Sequence, residues 1–130
     1  MLNSVVLVGR LVDEPTLKEL EKGTTVGIIT LAVTRAFKNM EGNYDVDYIR
    51  CTLWEGIAES TGAYCHKGDI IGIRGRLVTR NTEVTFYHDD VPLKKKIIIL
   101  EVVAERVAFI HAARKNRNEE INPYSENLVE

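Results

Sequence analysis

Three observations in this 130-residue chain predict an all-β fold, a small five-stranded Greek-key barrel with one short helix between its third and fourth strands. Most of the chain alternates with a period of two. Only the stretch between Trp54 and Gly68 shifts to a period of three to four. Glycines fall inside strand-like runs, where a closing sheet must bend. An SH3-like barrel usually lacks a helix at that point and a sandwich needs more strands, so the reading is a barrel of the OB type.

Each element follows from local chemistry. The first strand, 5–11, is rich in β-branched residues and leucine, and Pro15 prevents its continuation into a helix. After a charged segment, 18–22, Gly23-Thr24 makes a turn into the second strand, 26–37, where Leu31, Val33, Arg35 and Phe37 share a face. The polar stretch 38–43 is a hairpin connection to the third strand, 44–54. Alternation there places Tyr48, Arg50, Thr52 and Trp54 on one surface and Ile49, Cys51 and Leu53 on the other. In the helix, Ile57, Thr61 and Tyr64 form one stripe and Gly68 is the stop. The fourth strand, 70–79, puts Gly72, Arg74, Arg76 and Val78 opposite Ile71, Ile73, Gly75 and Leu77. A long loop, 83–96, follows, in which 84–87 and 93–98 can act as hairpin arms around 88–92, and the fifth strand is 97–110.

Composition sets the limits. With 45% hydrophobic residues the chain supports one domain, 1–112, with its own core. No apolar run is long enough to span a bilayer and the N-terminus lacks a secretory pattern, so a cytoplasmic protein without a membrane partner is expected. Two cysteines without metal or redox spacing point to reduced thiols. The net charge of −2 conceals an asymmetry: all 17 Lys and Arg residues precede Glu119, and four of the 19 acids lie from Glu119 onward. A mildly basic body thus carries an acidic tail, 113–130, whose polar composition predicts disorder.

The surface row on the third strand carries the functional signal. Ring, cation, hydroxyl and ring facing water suit stacking on planar, anionic partners. Phe37, Tyr48 and Trp54 are the stacking candidates, with Phe86 and Tyr87 of the long loop as further rings. Arg35, Lys38, Arg50, Lys67, Arg74, Arg76, Arg80, Lys94, Lys95 and Lys96 are candidates for holding phosphates, Arg76 and Arg80 foremost because they share a face. Blander roles remain open beside these: a ring can cap a core edge or a subunit contact, an arginine can be an ordinary solvated charge, and the lysine triplet can guard an exposed hairpin. Cys65-His66 has no second ligand pair, and His88-Asp89-Asp90 reads as a polar hairpin tip. No nucleophile, paired-carboxylate or metal constellation is found, so neither an enzyme, a metal nor a cofactor is expected.

The run Asn3-Ser4-Val5-Val6-Leu7-Val8-Gly9-Arg10-Leu11 with Pro15, then Leu31-Ala32-Val33, Tyr48-Ile49-Arg50-Cys51, Lys67-Gly68, the run 75–81 and Glu101-Val102-Val103-Ala104-Glu105 together resemble the bacterial and phage single-stranded DNA-binding proteins. The resemblance covers residues 1 to about 110. It implies an OB barrel, usually a homotetramer, that holds single-stranded DNA without sequence preference during replication, recombination and repair, in a nucleoid-associated location. It also implies stacking roles for the rings at Phe37, Tyr48 and Trp54. A further stacking ring of that family falls on Thr82 here, and the tail ends Leu128-Val129-Glu130 in place of the family's proline and phenylalanine tip, which recruits replication and repair proteins. The first strand, apolar and at a barrel opening, is expected to pair with a second copy. The alternative is an OB-fold primosome accessory or protein-interaction module with weak DNA binding.

Overall fold

The computed structural model describes residues 1–113. Its elements are β1 (Val5–Leu11), β2 (Thr16–Glu19), β3 (Thr25–Lys38), β4 (Tyr44–Trp54), α1 (Glu55–Tyr64), β5 (Ile70–His88) and β6 (Val91–His111). The sheet runs β1-β5-β6-β4-β3-β2 and closes because β1 also pairs with β3 at Arg10↔Ala32 and Leu11↔Leu31. This is the expected five-stranded barrel, with the helix between β4 and β5.

β2 is an addition to the expected elements. It pairs with β3 from Thr16↔Ile28 to Glu19↔Thr25, continuing the line of β1 after an interruption. Between Leu11 and Thr16 the chain takes five steps where β3 takes three, and Pro15 lies in that surplus. β1 and β2 therefore act as one strand broken by a bulge-like insertion.

The core forms where inward-facing residues of every barrel strand meet: Leu11, Ile29, Leu31, Cys51, Leu53, Ile71, Ile73, Val102 and Ala104 are buried. Each large aliphatic side chain so buried contributes roughly 1.5–3 kcal/mol. Ala58 of α1 joins this cluster, and a Cβ on Gly27 of β3 would stand 3.3 Å from the Ala58 Cβ, so the helix closes one end of the barrel at close range. The buried side of α1 is Ala58 and Thr61; Tyr64, expected on the same stripe, is exposed. α1 ends at Cys65, whose N–H donates to the Thr61 carbonyl, and Gly68 instead shapes the turn into β5 at φ 91°.

The region expected as a long loop is regular. Every residue of β5 is paired with β6 up to His88↔Val91, so the two strands leave the barrel as a twisted ribbon. Its turn is Asp89-Asp90, with φ of 51° and 64°, the left-handed pair that tight two-residue hairpins require and that Asp tolerates better than most residues. Ala113 is the last described residue; its N–H donates to the buried Asp69 carboxylate, which also accepts the His66 N–H. The acidic tail expected beyond it lies outside the described residues.

Both thiols are buried and free. Burial pushes the Cys51 thiol up to about 11, and burial together with the Asp69 carboxylate pushes Cys65 up. At pH 8 iodoacetamide is therefore expected to leave the folded protein unlabelled and to modify both thiols after denaturation. Rapid labelling of either in the native state would contradict this packing.

Candidate nucleic-acid interface

β4 builds the centre of the surface. Its register with β3 (Ala32↔Tyr48, Thr30↔Arg50, Ile28↔Thr52, Val26↔Trp54) sends these four side chains outward while Ile49, Cys51 and Leu53 face the core. Tyr48 is 68% exposed and Arg50 is exposed with no ion pair among the described residues. Trp54 is partly exposed beside the turn 18–24. Thr52 is the exception to the expected water-facing row: it is only 8% exposed, and its hydroxyl donates to the Glu101 carboxylate at 3.0 Å.

Trp54 sits at a tight strand-to-helix corner. Its own backbone is extended and the next residue, Glu55, takes φ 52°, which few non-glycine residues adopt. The corner is tied down because Glu55 accepts the Thr25 N–H at 3.2 Å and Glu59 accepts the Thr25 hydroxyl at 3.3 Å.

A groove of about 290 Å³ opens beside Tyr48. Tyr48, Ile49 and Arg50 line it from β4, and Leu77, Leu100, Glu101 and Val102 from the foot of the β5–β6 ribbon. Leu100 is 67% exposed and Leu77 is also exposed. The sequence reading missed Leu77 and Leu100 as surface residues because they share the phase of core positions; beyond the barrel rim that phase faces solvent. The legible signal was the apolar run in β6, too long for the barrel alone.

The other ring candidates do not gather at Tyr48. Phe37 stands 85% exposed on the outer part of the β3–β4 arm, within the register irregularity between Thr34 and Lys38. Phe86 and Tyr87 are neighbours on β5, so alternation sends them to opposite faces of the ribbon, Phe86 with Arg80 and Tyr87 with Leu77. The lysine triplet splits in the same way: Lys95 is opposite Val84, on the Phe86 face, and Lys94 and Lys96 are on the other.

Three of the ten candidate cations, Arg35, Arg76 and Arg80, have carboxylate partners among the described residues. Arg35 lies on the Leu31–Val33 side of β3, opposite the Tyr48 row, and grips Asp47 with Nε and Nη2 at 3.0 and 2.9 Å, with Asp45 at 3.7 Å. That fork raises the Arg35 guanidinium and holds the Asp47 carboxyl below the usual carboxylate range. Lys38 lies 5.8 Å from the centre of the Tyr44 ring. Lys67 is in the α1–β5 turn, its N–H on Glu14 at the β1–β2 join, not on the β4 surface. Arg74 is flanked in register by Val6 and Arg106. Arg76 and Arg80 share one face as expected, Arg76 bonded to Glu105 and Arg80 to Glu101, each at 3.0 Å.

A sequence profile described as the single-strand binding protein family matches residues 2–110. The chain belongs to that family. The match covers the whole barrel and the ribbon of this single-strand binding family member and stops one residue short of the end of β6. The chain is 41% identical over 110 residues to single-stranded DNA-binding protein B of Bacillus subtilis (strain 168), covering 85% of this chain and 91% of that one. It is 42% identical over 110 residues to a single-stranded DNA-binding protein of Bacillus cereus, covering 85% of this chain but 61% of that longer relative. It is 35% identical over 127 residues to single-stranded DNA-binding protein 1 of Lactococcus lactis, covering 98% and 80% of the two chains.

Thr82, where the resemblance expects another stacking ring, is half-buried on the Arg80–Phe86 face of the ribbon in this family member. Among the described residues no group of three or more His, Cys, Asp and Glu side chains could hold a metal ion, and no helix is long and apolar enough to cross a membrane.

Proposed function

We propose that the chain binds single-stranded DNA without sequence preference and protects it during replication, recombination and repair. The observation that carries this reading is Tyr48, two-thirds exposed beside Arg50, which has no ion pair among the described residues, and a groove with an apolar wall. A ring can stack on any base, and a cation next to it holds the phosphate between bases. Family membership and the names of the relatives support the same ligand. Tyr48 and Trp54 are the central stacking residues; Phe37 and Phe86 extend the path along the two arms, Tyr87 lies on the Leu77 face of the ribbon, opposite Phe86, and Arg50, Arg76, Arg80 and Lys95 are the cations best placed to follow it. The protein acts in the cytoplasm, associated with the nucleoid.

A homo-oligomer, as a tetramer, suits the same reading. β1 has β5 along one side but meets β3 only at Arg10 and Leu11, leaving an open edge over the residues before them, and Val6 and Val8 are exposed on its outer face. An open apolar edge favours addition of a second copy. Recruitment of replication or repair proteins through residues 113–130 is part of the proposal.

Trp54 is the only tryptophan, so its fluorescence reports one place on the surface. Titration with oligo-dT is expected to quench it, with log K falling against log salt by about 0.7 for each phosphate held, and mixed-sequence strands are expected to bind alike. No quenching at low salt would sink the proposal. Weak binding beside a stable complex with another protein would favour the accessory-module reading.

A further inference from the structure

Three arginines of the barrel and ribbon meet carboxylates in three geometries, and the differences decide what each can still do. Arg35 spends Nε and Nη2 on Asp47, leaving little of its fork. Arg76 gives a terminal Nη1 to Glu105, a half-exposed pair that solvent screens. Arg80 gives only Nε, to Glu101 Oε1 at 3.0 Å, and its side chain stays half-exposed. Among the described residues neither terminal nitrogen of Arg80 has a partner, and the two form the edge that matches a phosphate.

Glu101 is built to hold rather than to compete. Its side chain is 15% exposed. Its second oxygen, Oε2, accepts the hydroxyl of the buried Thr52 at 3.0 Å, so both carboxylate oxygens are occupied and the group bridges β4 to the ribbon. Glu101 also lines the groove beside Tyr48. A carboxylate pinned at both oxygens fixes the guanidinium plane of its partner, as an outer ligand fixes a metal-bound histidine.

We propose that Glu101 is a positioning residue for single-stranded DNA: through Thr52 it anchors to the ring-bearing strand, and through Nε it aims the terminal nitrogens of Arg80 at a phosphate passing the Tyr48 groove. The inference rests on the function proposed above. Its sign is counter-intuitive, since removing a negative charge from a surface for an anionic ligand should weaken that surface.

Oligo-dT affinity and its salt dependence are measured for the full chain, Glu101→Ala, Arg80→Ala, the double variant, Thr52→Val and Glu101→Gln. Glu101→Ala and Arg80→Ala are each expected to lose about tenfold in affinity and to flatten the salt slope by about 0.7, one phosphate's worth. The double variant should lose no more than either alone. Thr52→Val should lose less, and only while Arg80 is present. Glu101→Gln, which keeps an acceptor for Nε, should recover most of the affinity, and it carries the test if Glu101→Ala fails to fold. Tighter binding by Glu101→Ala would overturn the proposal and make Glu101 a competitor of phosphate. So would an equal loss from Glu101→Ala in the Arg80→Ala background, which would mark a general packing role. Absence of binding by the unaltered chain would instead remove the functional reading on which the inference stands.

Discussion

Replacing Tyr48 with alanine is expected to weaken oligo-dT binding by about 1–3 kcal/mol, roughly five- to 150-fold, and to leave the thermal midpoint unchanged. The asymmetry comes from where the ring sits. Tyr48 is 68% exposed, so the folded protein gains little from it, while a stacked base would lose the ring face entirely. Its cross-strand neighbour Ala32 is too small to replace that face. Trp54 is a less clean test because it also stands at the strand-to-helix corner against the 18–24 turn. Phenylalanine at position 48 should keep most of the affinity, since the ring and not the hydroxyl makes the stack. Unchanged binding by Tyr48→Ala in a fluorescence or anisotropy titration would remove β4 from the DNA path.

The largest effect on folding is expected at Gly75. A Cβ built there would lie 2.1 Å from the Val103 carbonyl oxygen and 3.1 Å from the Ala104 Cα, both backbone atoms of the paired strand that cannot rotate away. Gly75→Ala should cost about 3 kcal/mol or more, the upper end of what overpacking does, and lower the melting midpoint by 10 °C or more at several degrees per kcal/mol. A melting curve matching the unaltered protein would show that β6 can withdraw. The position also governs the surface. Between Arg74↔Arg106 and Gly75↔Ala104, β6 carries one extra residue, Glu105, and this bulge reverses the phase of everything beyond it. Without it, Glu101 would face away from Arg80. A variant that folds with the bulge removed should therefore lose the Arg80–Glu101 pair as well.

Much of the barrel was legible because strands with one buried face announce themselves by alternation. Ile49, Cys51 and Leu53 against Tyr48, Arg50 and Trp54 is such a pattern, and the structure keeps it. Thr52 broke it because a small hydroxyl can be exposed or covered without changing the sequence signal, and its cover, Glu101, comes from 49 residues away. β2 was hidden since all four of its residues are exposed, leaving nothing to alternate. The ribbon was hidden for a related reason: beyond the barrel neither face is a core face, so Lys94-Lys95-Lys96 reads as loop although each lysine is in register. The carboxylate partners of Arg35, Arg76 and Arg80 lay further out of reach, because a cross-strand ion pair depends on register and a single bulge changes it.

The barrel's closure is uneven. In the strand ladder β4 pairs with β6 only at Cys51↔Val102 and Thr52↔Val103, and β1 pairs with β3 at two positions as well, whereas β5 and β6 are zipped along their whole length. Mechanically the domain is two plates, β1-β5-β6 and β2-β3-β4, joined along two narrow seams. Tyr48 and Arg50 ride on one plate, Arg80 and Leu100 on the other. On the proposed path a nucleic-acid strand laid across them would work as a strap: each plate would grip it, and it in turn would keep the plates from parting.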